Sequence, residues 1–177
     1  MKKNKNLGKG FTLVELLVSM IILITVGTIM VSILVSSLRT GNKSQAINEV
    51  RQNGNYAITQ MSKTISYAKI FNGLSTDGTN FVTTCDGSIS YKYIQITSFD
   101  NSVTSFSCGD SAILSNGSPL TNSDVSLKAN SCSFICTKTA SGPPIIDIKF
   151  TLQEGVNSLI ENQSFIPFET SVTLRNY

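Results

Sequence analysis

Histidine is absent from all 177 residues, and with it the imidazole that serves Ser-His and Cys-His nucleophile systems and is the commonest metal ligand. No Gly-rich phosphate loop occurs either. Asp77, Asp86, Asp100, Asp110 and Asp124 are scattered among turn-forming residues, where Asp is ordinary, and no spacing selects an acid pair of the kind a glycosidase needs. These absences point to a chain that is not an enzyme and uses no cofactor or metal. Proline is missing before Pro119, so nothing forbids one long helix at the N-terminus. Formal charge is missing from residues 11–38, with the single exception of Glu15.

What is present there is apolar. The 28 residues from Phe11 to Leu38 rise roughly 42 Å as a helix, against a bilayer core of about 30 Å. The run is long enough to span a membrane. A removable secretory signal has an apolar core of about 7 to 15 residues followed by its cleavage site, so this run is about twice too long. Lys2, Lys3, Lys5 and Lys9 precede it as a positive flank. A carboxylate inside such a run costs about 2.5 to 3.5 kcal/mol and usually has a partner or a function. Glu15 therefore needs a reason.

The stretch Gly10-Phe11-Thr12-Leu13-Val14-Glu15-Leu16-Leu17-Val18 resembles the class III signal of type IV pilins and type II secretion pseudopilins. The resemblance is specific over residues 9 to 25. It implies that a prepilin peptidase cuts between Gly10 and Phe11 on the cytoplasmic side and N-methylates Phe11. It further implies that Glu15 is an assembly residue, paired with the new terminal amine of a neighbouring subunit. Such pairing offsets the desolvation of both charges. A carboxylate that snorkels to water at the interface is the alternative reading of Glu15. The partners implied are the peptidase, other pilin or pseudopilin subunits, an inner-membrane assembly platform and the membrane itself.

Removing the leader changes the charge. The whole chain carries 14 Lys+Arg and 11 Asp+Glu, a net +3; without the four leader lysines, 10 basic and 11 acidic residues give −1. No basic patch survives to argue for nucleic acid, which the charge leaves unsupported as a partner. The positive-inside bias keeps the lysines cytoplasmic and places the chain after Leu38 outside. The location expected is the bacterial inner membrane, single-pass with the C-terminal head outside, and then a periplasmic or extracellular filament.

Four segments follow: 1–10 as cleaved leader, 11–38 as transmembrane and assembly helix, 39–71 as an amphipathic helix continuing into the head, and 72–177 as a β-rich head. In the third, Ile47, Val50, Gly54, Ile58, Met61, Ile65 and Ala68 recur at steps of three or four, the spacing of a buried helix face. One helix could run from about Phe11 to about Phe71, with Gly41-Asn42 and Gly27 as its soft places. Beyond Asn72 the period becomes two. Ile146 to Gln153 and Phe168 to Leu174 alternate as half-buried strands, and Ser88 to Thr97 is a third whose alternation slips between Tyr93 and Ile94, as a bulge would allow. Phe81 to Cys85, Val103 to Cys108, Val125 to Lys128 and Cys132 to Lys138 are shorter candidates. Asp77-Gly78, Asp86-Gly87, Asn116-Gly117 and Gly142-Pro143-Pro144 mark turns between them. Strands without intervening helices favour antiparallel pairing. The fold class expected is α+β, a long N-terminal helix packed on one face of a meandering antiparallel sheet.

All four cysteines, Cys85, Cys108, Cys132 and Cys136, lie in the exported part, where an even count favours two disulfides. Sequential pairing, Cys85 with Cys108 and Cys132 with Cys136, is preferred because each pair closes a hairpin or tight loop. It requires residues 133–135 to turn, since four extended residues span about 13 Å and a bridge needs Cα atoms within about 7 Å. Cys108 with Cys132, leaving Cys85 to Cys136, is the alternative. A four-thiolate zinc site is a third reading, disfavoured by its spacing.

The function expected is that of a structural subunit of a type IV pilus-like or type II secretion filament, a minor pilin or pseudopilin rather than the major subunit. The final Ser171-Val172-Thr173-Leu174-Arg175-Asn176 is similar to the tails of several minor pilins and J-type minor pseudopilins. The alternative is a filament-tip binding module, for DNA uptake or for adhesion.

Overall fold

The computed structural model describes residues 10–138, 142–154 and 164–175. The leader lysines and Asn176 of the tail lie outside the described residues. The fold is α+β; among the described residues one helix is followed by nine strands, β1 to β9, in two antiparallel sheets. By its internal packing the chain divides into two units, Met1–Lys43 and Ser44–Tyr177.

The first unit is helical from Leu13 onward. This helix, α1, runs to Ser66 and passes through Gly27 and Gly41 without a break. Neither soft place interrupts it. Several of its hydroxyls bond back to the helix: Ser19 donates to the Leu16 carbonyl at 2.9 Å, Thr25 to Ile22 at 2.9 Å, Thr28 to Thr25 at 2.8 Å and Ser32 to Thr28 at 2.9 Å. A polar group that bonds back to its own helix leaves no unpaired donor facing lipid. The side chains from Phe11 to Leu38 are all exposed, including 19 large apolar ones. By length and composition α1 is able to cross a membrane.

In the second unit the later part of α1 becomes amphipathic, burying Val50, Gly54, Ala57, Met61 and Ile65. The expected stripe is there, with Ile47 and Ile58 only half-buried and Ala57 taking part. The helix stops at Ser66 rather than near Phe71. Lys69 donates its N–H to the Thr97 carbonyl at 2.8 Å, and Ile70 and Phe71 are taken up by strand pairing. Ala68, just beyond the helix, still belongs to the core.

The first sheet is a five-stranded meander, β1 (Ile70–Ser75), β2 (Tyr93–Thr97), β3 (Val103–Cys108), β4 (Ile113–Ser115) and β5 (Ser118–Pro119). Asn116 and Gly117, with φ of 48° and 81°, form the two-residue loop between β4 and β5. Two positive φ angles match the twist of the flanking strands, and Asn-Gly accepts them readily. The second sheet contains β6 (Val125–Leu127), β7 (Ser133–Thr137), β8 (Ile145–Glu154) and β9 (Phe165–Thr173). β8 is its spine: β9 pairs along one edge, while β7 and β6 share the other end to end. Ile146, Ile148, Phe150 and Leu152 of β8 are buried at every second position, as the alternation implied.

Two sheets in place of one meander explain the slip near Tyr93. Tyr91 bridges Phe134 of the second sheet, exchanging both backbone bonds at 2.8 Å, whereas Tyr93 pairs with Ser75 and Ser107 of the first. The chain passes from one sheet to the other at Lys92. No bulge is needed there; the register shift of this sheet falls between Phe71 and Gly73. Ser88 to Tyr91 and Phe81 to Cys85 are accordingly not strands, and each contributes only isolated bridges.

Candidate functional site

The disulfides are Cys85–Cys136 and Cys108–Cys132, which replaces the preferred sequential pairing by its alternative. The reason is the extension of β7. Residues 133–135 do not turn, so Cys132 and Cys136 stand at opposite ends of a strand, too far apart to bond. Each reaches instead a segment on the path of the first sheet: Cys136 the loop after β1, Cys132 the end of β3. With all four sulfurs bridged and no free cysteine, the zinc reading falls. Among the described residues, no three His, Cys, Asp or Glu side chains are grouped so as to hold a metal ion.

The turn aspartates are held by their neighbours. Asp77 accepts the Asn80 N–H at 3.0 Å, the Ser75 hydroxyl at 2.7 Å and the Thr79 N–H at 2.9 Å, which together hold its carboxyl well below the usual carboxylate range. The Ser88 N–H lowers Asp86, and the Ser102 hydroxyl and N–H lower Asp100. A carboxyl stabilised in its ionised form is poorly suited to donate a proton at neutral pH. These residues build loops.

The N-terminal motif is laid out in order along an exposed strip. Gly10 is exposed, and a Cβ built on it meets no atom within 4 Å. Nothing among the described residues crowds a side chain there. Phe11 is 84 % exposed. The helix starts two residues later, so the Gly10-Phe11 bond lies outside regular structure.

Glu15 is not left alone. Its Oε2 accepts the Thr12 N–H at 3.1 Å and the Thr12 hydroxyl at 3.1 Å, while the Glu15 N–H donates to Thr12 Oγ1 at 3.3 Å. This reciprocal arrangement is a capping box, with Thr12 as N-cap and Glu15 three residues on. It satisfies two of the four N–H groups that every helix start leaves unpaired. The negative charge also sits in the first turn, where the helix dipole favours it. The signal for this role is in the sequence, a Thr-x-x-Glu at the head of the apolar run.

Compared with protein-family models, characterised proteins and solved structures, the chain matches none. Its long apolar N-terminal helix, followed by antiparallel sheets, is compatible with a pilin-like fold.

Proposed function

We infer that this chain is a structural subunit of a pilus-like or type II secretion filament, stored in the inner membrane and assembled through its N-terminal helix. The observation that carries the reading is the order of the N-terminal strip. An exposed Gly10-Phe11 junction outside regular structure is followed at once by a helix start, a single carboxylate and an apolar run with every side chain exposed. A peptidase needs an accessible, extended bond, and a helix that packs among its own kind needs an apolar surface with no partner in its own chain. The role is assembly rather than catalysis, and the near-neutral charge after cleavage gives DNA no foothold.

Within this reading Glu15 has two successive partners. Thr12 holds the carboxylate while the subunit is single, and the methylated Phe11 amine of a neighbour takes it over in the filament. The minor pilin or pseudopilin role rests on the tail pattern ending in Arg175 and Asn176.

Mass spectrometry of the N-terminus of the membrane-extracted protein tests the processing step: the expected terminus is N-methylated Phe11. A terminus at Met1, or one beyond residue 30, removes the basis of the reading. Glu15→Gln is expected to be cleaved normally and to enter sheared filaments at reduced level.

A further inference from the structure

β9 pairs with β8 along its length and, among the described residues, with no other strand. Among the described residues its outer edge carries no strand. A groove of about 700 Å³ runs along that edge. One wall is a stripe of α1 from Ile58 to Ser66, with Tyr67 just beyond it; the other is the run Thr170, Ser171, Val172, Thr173 with Arg175 at its end. Successive side chains of a strand point to opposite faces, so four consecutive residues line one groove when the wall is the strand's backbone edge.

Open edges invite unwanted pairing, and sheets commonly blunt them with proline. Here Pro167 removes one N–H three residues before the groove, while Thr170–Thr173 keeps every backbone donor. No proline interrupts the edge within the groove.

Among the described residues Lys63 and Arg175 line the groove and no carboxylate does. The Arg175 guanidinium stacks 4.8 Å from the Tyr67 ring and donates to the Tyr67 hydroxyl at 3.2 Å, neutral contacts that orient it without cancelling its charge. The carboxylates nearest along the strands are already engaged. Glu169 pairs with Lys149 at 2.6 Å, and Asp147 accepts the Ser171 hydroxyl at 2.5 Å.

We propose that this groove takes an extended acidic segment of a partner protein, which adds as a further strand to the edge of β9 at Thr170–Thr173 and sets its carboxylates against Lys63 and Arg175. Backbone pairing supplies affinity in this mode, and the two cations select the partner. The proposal concerns the second unit alone and is independent of how the N-terminus is processed.

The test uses the full chain in detergent micelles and a fluorescent, end-capped peptide of alternating Val and Glu. Two control peptides carry Lys in place of Glu, or N-methyl groups on alternate amides in either register. Anisotropy is expected to show binding of the acidic peptide, and its affinity is expected to fall about tenfold or more in Arg175→Gln and Lys63→Gln, as for loss of a charge-assisted bond. The Val-Lys peptide and at least one N-methylated register are expected to bind no better than those variants do. Both substituted side chains are exposed, and unchanged thermal unfolding verifies that the fold persists. No binding, equal binding of the Lys peptide, or indifference to N-methylation in both registers overturns the proposal. So does self-association of the chain that the same two variants abolish, which gives the groove to a second copy.

Discussion

Phe168 of β9 occupies the space that a side chain at Gly54 of α1 would need: a Cβ built at position 54 overlaps its ring. The ring is also stacked on its cross-strand neighbour Phe150, with centroids 5.3 Å apart and planes 20° from parallel, so one of its faces is held as well. Close approach of helix and sheet therefore depends on one missing methyl group. In an exposed helix interior Gly→Ala gains about 1 kcal/mol. Here Gly54→Ala is expected to destabilise, by about 1 to 3 kcal/mol, because the aromatic ring must move. Urea unfolding of Gly54→Ala, and of Gly54→Ala with Phe168→Leu, checks this; the second substitution is expected to recover part of the loss.

Non-reducing peptide mapping is expected to return Cys85 linked to Cys136 and Cys108 linked to Cys132. In the chain-entropy view, bridges with sequence separations of 51 and 24 stabilise by about 4 and about 3.5 kcal/mol. Replacing Cys108 and Cys132 together by Ala is expected to cost about 3 kcal/mol in denaturant and to leave the other bridge intact.

Acid should loosen the loops before it reaches the core. Asp77, Asp86 and Asp100 each have a folded value depressed below the ordinary 3.8. A depressed folded value means that the unfolded chain binds protons first on acidification, so this stabilisation is complete above about pH 4 and is lost as pH falls below it. Unfolding midpoints measured from pH 6 down to about pH 2 are expected to decline below pH 4. Asp77→Ala is expected to be less stable at pH 6 and to show a shallower decline.

The capping box separates two roles of Glu15. Thr12→Ala is expected to fray the first turn at a cost of about 1 kcal/mol, seen as faster amide exchange at Leu13 to Leu16. Glu15→Gln keeps an acceptor on the box and removes the charge, so it is expected to preserve that protection. Loss of filament entry in Glu15→Gln with the first turn intact would assign the charge itself to assembly.

Much of this fold was legible in the sequence because its signals are local. The charge-free run, the stripe from Val50 to Ile65, the alternation of β8 and the Asn116-Gly117 turn each follow from a period or a dihedral preference that neighbouring residues set. What escaped depends on residues far apart. Phe81 to Cys85 has strand-like composition and pairs only through the single bridge of Val82 to Leu74. The slip at Tyr93 looked like a bulge because sequence does not say that two sheets share the segment. The disulfides were misjudged in the same way: nearness in sequence favoured Cys132 with Cys136, and the extension of β7 forbids it. At the N-terminus the capping box gives Glu15 a partner in its own chain, and Thr12-x-x-Glu15 is a local, readable signal for it.

Because the bridge between Cys108 and Cys132 lies wholly within the span closed by Cys85 and Cys136, the two form nested rings with β7 at their common end. A protease that severs one peptide bond anywhere between Cys85 and Cys136 therefore releases nothing. The severed halves stay joined through sulfur, and the segment from Cys85 to Cys136 persists as one covalent body after a single cut.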